Sequence, residues 1–175
     1  MIDEEQPKRA QWTVQDDEDK QVQKALSLSY FFLKFRPRSE WELRTYLLKK
    51  SQKFRISEQA VEHAISELKE LRYLNDTDFI AWYVDYQRRI KHKGDRAIRK
   101  SLSQLRLPKH LVDRFFLNDN SDAFTLAQAA LRPKWRTYAR LEKRKRFQRA
   151  AAYLQRRGYP YDIIVKVVEL MEKDQ

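Results

Sequence analysis

Cysteine is absent from this chain and glycine nearly so: only Gly94 and Gly158 occur in 175 residues. Without thiols there is no disulfide, zinc–thiolate site, iron–sulfur cluster or cysteine nucleophile. Two isolated glycines form no phosphate-cradling loop. They also weigh against a sheet-rich fold, whose tight hairpins draw on glycine. No apolar run approaches the roughly 20 residues that span a bilayer, and the opening MIDEEQPKRA lacks a signal-peptide core. The expectation is a cytoplasmic protein with no membrane partner.

Catalytic constellations are equally scarce. The three histidines, His63, His92 and His110, have no second ligand at metal-binding spacing on the same helix face. Glu67 and Glu70 are close in sequence, but surface pairing with nearby bases accounts for them. Nothing builds an active site, so the chain reads as a non-enzyme with no cofactor and no metal.

What is present is positive charge. The net charge is +12, and it is uneven: residues 1–20 carry seven acids against three bases, leaving +16 on the remainder. Such a body attracts polyanions through counterion release. Hydrophobic residues at 42% suffice for a core, while 35% charged residues imply much solvated helix surface.

Residues 1–18 have no apolar period and read as a disordered acidic tail. Helical signals then repeat. Ala25, Leu26, Leu28, Ser29, Phe32 and Leu33 mark a first amphipathic stretch ending before Pro37. Ser39 and Glu42 form a capping box, in which each side chain accepts from the other residue's backbone N–H. Ser57 caps a third helix carrying Val61, Ala64, Ile65, Leu68 and Leu71. Asp76 or Thr77 caps the next, whose stripe Phe79, Trp82, Tyr83 and Tyr86 reads as core rather than as a base-stacking platform. Gly94 breaks the chain before Ile98, Leu102 and Leu105. Pro108 opens a helix at its first turn, where the missing N–H costs nothing. Ser121 starts a third unit, Pro133 bends or ends its first helix, and a long basic helix runs through Leu141, Phe147, Ala151 and Leu154 to Gly158. Pro160 opens the last.

These units resemble one another. A shift of 52 residues places Leu102 on Leu154, Leu107 on Tyr159, Pro108 on Pro160, Val112 on Ile164 and Phe116 on Val168. A shift of 51 places Ile56 on Leu107, Val61 on Val112 and Ile65 on Phe116. A period near 50 residues signals tandem helical modules, each too small to bury its core well alone. The chain is therefore expected to be all-α, with three tandem three-helix repeats in an elongated, curved array. The expected bounds are 1–18 for the tail, then 19–75, 76–120 and 121–175 for the repeats.

The sharpest local feature is basic. From 132 to 157 there are eleven bases: Arg132, Lys134, Arg136, Arg140, Lys143, Arg144, Lys145, Arg146, Arg149, Arg156 and Arg157. One acid, Glu142, opposes them. The run predicts contact with an acidic protein groove or with phosphates. Trp135 and Tyr138 interleave with it, either stacking on a partner or packing in a core. A second patch, Arg88, Arg89, Lys91 and Lys93, either joins that surface or compensates a helix dipole.

Four ordered motifs resemble the RecX family. Arg38-Ser39, Glu42-Leu43, Leu47 and Lys50 are similar to its opening motif. Leu68, Leu71, Tyr73-Leu74-Asn75-Asp76, Phe79, Tyr83-Val84 and Arg88 resemble its first junction. Gly94 and Ile98 match a glycine-led second repeat, and Tyr153-Leu154, Arg156-Arg157-Gly158-Tyr159 and Tyr161 resemble its closing motif. Arg72 and Arg106 depart from it, standing where the family has helix-ending glycines, and Pro133 interrupts a helix usually continuous. The resemblance covers roughly residues 22–172. It implies three tandem three-helix modules in a crescent that binds along the groove of RecA–DNA filaments. It implies inhibition of filament extension, strand exchange, ATP turnover and coprotease function, within DNA repair and the SOS response. The partners expected are thus the RecA filament and single- or double-stranded DNA, met by a monomer. The rival reading is a helix-turn-helix-like DNA-binding transcription regulator, for which residues 108–117 offer only Lys109, His110 and Arg114 as a reading surface.

Overall fold

A computed structural model describes residues 14–173, which contain nine α-helices and no strand. The helices are α1 (Val14–Leu33), α2 (Glu40–Phe54), α3 (Glu58–Glu70), α4 (Asp76–Arg89), α5 (Asp95–Gln104), α6 (Lys109–Leu117), α7 (Ala123–Tyr138), α8 (Lys143–Arg156) and α9 (Tyr161–Lys173). The expected tail at 1–18 falls mostly on residues outside the described ones, and its last five residues, 14–18, lie in α1. The chain divides into two compact units after Leu74.

The first unit holds α1–α3. Ala25, Leu26, Leu43, Leu47, Val61, Ala64 and Leu68 meet in one buried cluster. The Ser39 hydroxyl accepts from the Glu42 N–H at 3.2 Å, and the Glu42 carboxylate accepts from the Ser39 N–H at 3.2 Å, closing the capping box. Ser57 caps α3 by accepting from the Ala60 N–H.

The second unit holds two cores in chain order. Phe79, Ile80, Val84, Ile98, Leu102, Leu107 and Val112 fill one, from α4–α6 and the turn between α5 and α6. Ala127, Leu131, Trp135, Ala150, Leu154, Ile164, Val167 and Val168 fill the other, among α7–α9. Removing each such leucine from water contributes about 2 kcal/mol, and three helices give each group enough faces to do so. Phe79 is buried and Trp82 and Tyr83 pack partly buried against the same core, so most of the aromatic stripe is structural. The fold is all-α, made of consecutive three-helix groups.

The repeat is visible in the backbone. The second helix of each group ends on a left-handed residue: Arg55 (φ 52°), Arg106 (φ 54°) and Gly158 (φ 91°). The next N–H then donates five residues back, from Ile56 to Ser51, Leu107 to Leu102 and Tyr159 to Leu154. This is a Schellman-type closure. Arg72, at φ 58°, ends α3 in the same conformation. The two arginines that replace glycines therefore keep the glycine-type turn, at a steric cost of about 1 kcal/mol each.

Several local expectations are corrected. Asn75, not Asp76 or Thr77, caps α4, its side-chain oxygen accepting from the Thr77 and Asp78 N–H groups. In the unit that Ser121 starts, the cap of α7 is Asp122. Pro133 neither ends nor interrupts α7, because buried Ala130, Leu131 and Trp135 pin the helix on both sides of the lost hydrogen bond. The long basic helix is two pieces: α7 stops at Tyr138, and α8 starts at Lys143. No glycine or proline marks that break. It is held by Arg146, whose guanidinium donates to the Ala139 carbonyl at the end of α7.

Candidate functional site

The basic segment lies on α7, the turn at 139–142, and α8. On α7, Leu131 and Trp135 point into the core, and Arg132 and Arg136, one position on from each, are exposed. Lys134 and Arg140 are exposed as well. On α8, Ala150 and Leu154 face inward, while Lys145, Arg149 and Arg156 share the outward stripe. Their spacing of four and seven residues spreads the three charges over about 16 Å of helix. Lys143 and Arg144 are exposed at the start of α8. With Lys145 and Arg146 they make four cations in its first turn, which oppose the helix dipole, an arrangement that folding does not favour.

Not all predicted residues lie on this face. Arg146 is only 15% exposed: it donates to Glu172 on α9 at 3.2 Å and sits over the Trp135 ring at 5.8 Å. Arg157 donates to the carbonyls of Lys91 and His92, and lies over the Tyr153 ring. Trp135 is buried and Tyr138 packs on the same core, so neither is a free stacking ring.

The second patch changes most. Arg88 is 8% exposed. It donates to Asp95 at 2.7 and 3.2 Å and to Asp119 at 2.6 and 3.0 Å. The Arg88 hydrogen bonds hold the Asp119 carboxyl below its ordinary pKa, and the Ser121 hydroxyl adds to this. Arg88 is thus a structural clamp joining the end of α4, the start of α5 and the 118–122 connection. It also lies in the last turn of α4, beside Arg89, where a cation complements the helix dipole. Arg89 is exposed beside Asp85, Lys91 is exposed over the Tyr86 ring, and Lys93 is half-buried.

Sequence reading missed Arg96 and Arg99, which border a cleft of about 380 Å³ shared with Asp95, Ala123, Leu126, Tyr159, Pro160 and both glycines. Arg99 is held by Asp113 at 2.7 Å and lies over Phe116 at 4.1 Å. Their signal was the glycine-led start of α5. Among the described residues no group of three or more His, Cys, Asp or Glu side chains is placed to hold a metal. No helix there is long and apolar enough to cross a membrane.

Comparison with known proteins adds the relatives. The family model for the RecX third three-helix domain matches residues 121–168, the segment that carries most of the basic face. The regulatory protein RecX of Geobacillus thermodenitrificans is 28% identical over 148 residues, 84% of this chain and 54% of the relative. That of Bacillus velezensis is 29% identical over 157 residues, 86% of this chain and 56% of the relative. The chain spans about half the length of the curated relatives it matches. Among solved structures, RecX from Lactobacillus salivarius superposes with a TM-score of 0.68 at 20% identity, covering 89% of this chain and 99% of that one. A second regulatory protein RecX gives a TM-score of 0.73 at 20% identity, over 99% of this chain and 83% of that one. These likenesses establish the fold.

Proposed function

We propose that this chain, similar to RecX regulatory proteins over most of its length, is a member of that family, and that it binds RecA on the RecA–DNA filament and lowers its recombinase, ATPase and coprotease activities. It acts by occupying surface, as a monomer in the cytoplasm, and catalyses no reaction.

The observation that carries this reading is the exposed, acid-poor face of α7 and α8. Arg132, Arg136, Arg140, Lys145, Arg149 and Arg156 are each exposed, and the one acid in the segment is Glu142. A folded domain needs no such field for solubility. A polyanionic or acid-lined partner does.

RecA-catalysed strand exchange, measured with rising amounts of the protein, tests the proposal. Inhibition at amounts stoichiometric with the filament is the expected result. Unchanged exchange at that level overturns it, and sequence-specific binding to a palindromic duplex without any effect on RecA points to the transcription-regulator reading.

A further inference from the structure

The only two glycines in the chain meet at one point. The Gly94 N–H donates to the Arg157 carbonyl at 2.8 Å, and a Cβ built on Gly94 would lie 2.8 Å from the Gly158 carbonyl oxygen. A Cβ on Gly158 would lie 2.6 Å from the Ala97 Cβ and closer still to the Ala97 nitrogen. Around this contact, Arg157 donates across to the Lys91 and His92 carbonyls, and the Tyr159 hydroxyl donates to His92 at 3.4 Å. Burial raises the pKa of that hydroxyl to about 12, so it stays a donor at any physiological pH. All these groups lie in the second unit and join α4–α6 to α7–α9.

Gly158 needs its glycine twice over, for its φ of 91° and for the space. Gly94 does not need it locally. Its φ of −81° and ψ of 164° suit any residue, and at the N-cap of α5 a serine would serve better. Only the approach of the Gly158 backbone demands a hydrogen there. The corresponding caps of α2 and α8 are Ser39 and Glu142, and the residues corresponding to Gly158 are Arg55 and Arg106. None of these corresponding positions is a glycine.

We infer that the Gly94–Gly158 joint locks α4–α9 into one rigid body, and that Arg157 and the two glycines are positioning residues holding the basic face of α7–α8 in register with the cations of α4–α5 for a single ligand. The positioning role rests on the proposed partner, whereas the lock itself is testable on the protein alone. Arg157 then works through its bonds to carbonyls rather than by touching a partner, unlike Lys145, Arg149 and Arg156.

The experiment uses the full chain with Gly94→Ser. In the free protein, native-state hydrogen exchange is followed at residues 94–98 and 157–160. Protection is expected to fall about tenfold or more on both sides of the joint together. Unchanged or increased protection, the result of a better cap alone, overturns the lock. Binding to RecA–single-stranded-DNA filaments is then measured across a salt series. Positioning predicts about tenfold weaker binding at every salt with the log–log salt slope unchanged, because no ionic contact is lost. A loosened joint with unchanged affinity overturns the positioning role. Arg157→Gln supplies a second variant without added bulk: an unchanged slope with weaker binding supports positioning, and a slope reduced by about one assigns Arg157 to ionic contact instead. Should the wild-type protein bind no filament, the proposed function and the positioning role fall together, while the exchange result still decides the lock.

Discussion

Replacing Arg88 by methionine removes a buried cation while keeping most of the volume of its stem. The Arg88 side chain is 9% exposed, and its partners Asp119 and Asp95 are 16% and 43% exposed. Deleting one partner of a buried pair costs about 3–5 kcal/mol, because the other charge is left uncompensated. Two features lower that figure here. Asp95 reaches water, and Ser121 still donates to Asp119 at 2.7 Å. The expected loss at neutral pH is therefore about 3 kcal/mol. It is measured by urea denaturation followed by helical circular dichroism. Asp119→Asn in the same chain removes the stranded charge, so the double variant should recover part of the loss, a coupling of about 1–2 kcal/mol. The pH dependence has a defined sign. Asp119 has a folded-state pKa below its unfolded one. Its contribution is present above the unfolded value near ~4 and is lost as pH falls through the folded value. The gap between wild type and Arg88→Met should therefore narrow in acid. A loss under about 1 kcal/mol at neutral pH, or a gap independent of pH, would refute the clamp and return Arg88 to the surface patch.

Three further outcomes are expected. Reversing Lys145, Arg149 and Arg156 to Glu should abolish filament binding while shifting unfolding stability by no more than about 0.5 kcal/mol; retained binding would move the contact elsewhere. Arg72→Gly should stabilise the protein by about 0.5 kcal/mol in a denaturant titration, relief of the left-handed strain at φ 58° exceeding the entropy of the added glycine. Ser39→Ala should cost about 1 kcal/mol in thermal unfolding, since the hydroxyl of this fully buried residue accepts from the Glu42 N–H.

Much of the fold is local and so could be read along the chain. Ser39 and Ser57 cap the helices their spacing announced, because a hydroxyl reaches only the N–H groups two or three residues on. The apolar period of three to four residues placed Leu43, Leu47, Val61 and Leu68 in one core. The 52-residue shift fell on equivalent backbone turns, since Leu107 and Tyr159 close their helices alike. The exposed stripe of α8 was legible for the same reason: Lys145, Arg149 and Arg156 lie opposite Ala150 and Leu154 on a regular helix.

Tertiary structure decided the rest, because it depends on which distant groups meet. The sequence offered Arg88 and Arg157 as two more surface cations. Asp119, thirty-one residues from Arg88, and the carbonyl of His92, sixty-five from Arg157, turned both inward. Pro133 does not end α7, whose buried residues hold the helix on both sides of it, and the break after Tyr138, which no glycine or proline marks, is bridged by the Arg146 guanidinium. Composition by itself determined that glycine is confined to two positions. Only the fold brought those two backbones within van der Waals reach of each other, at a distance that leaves no room for a side chain.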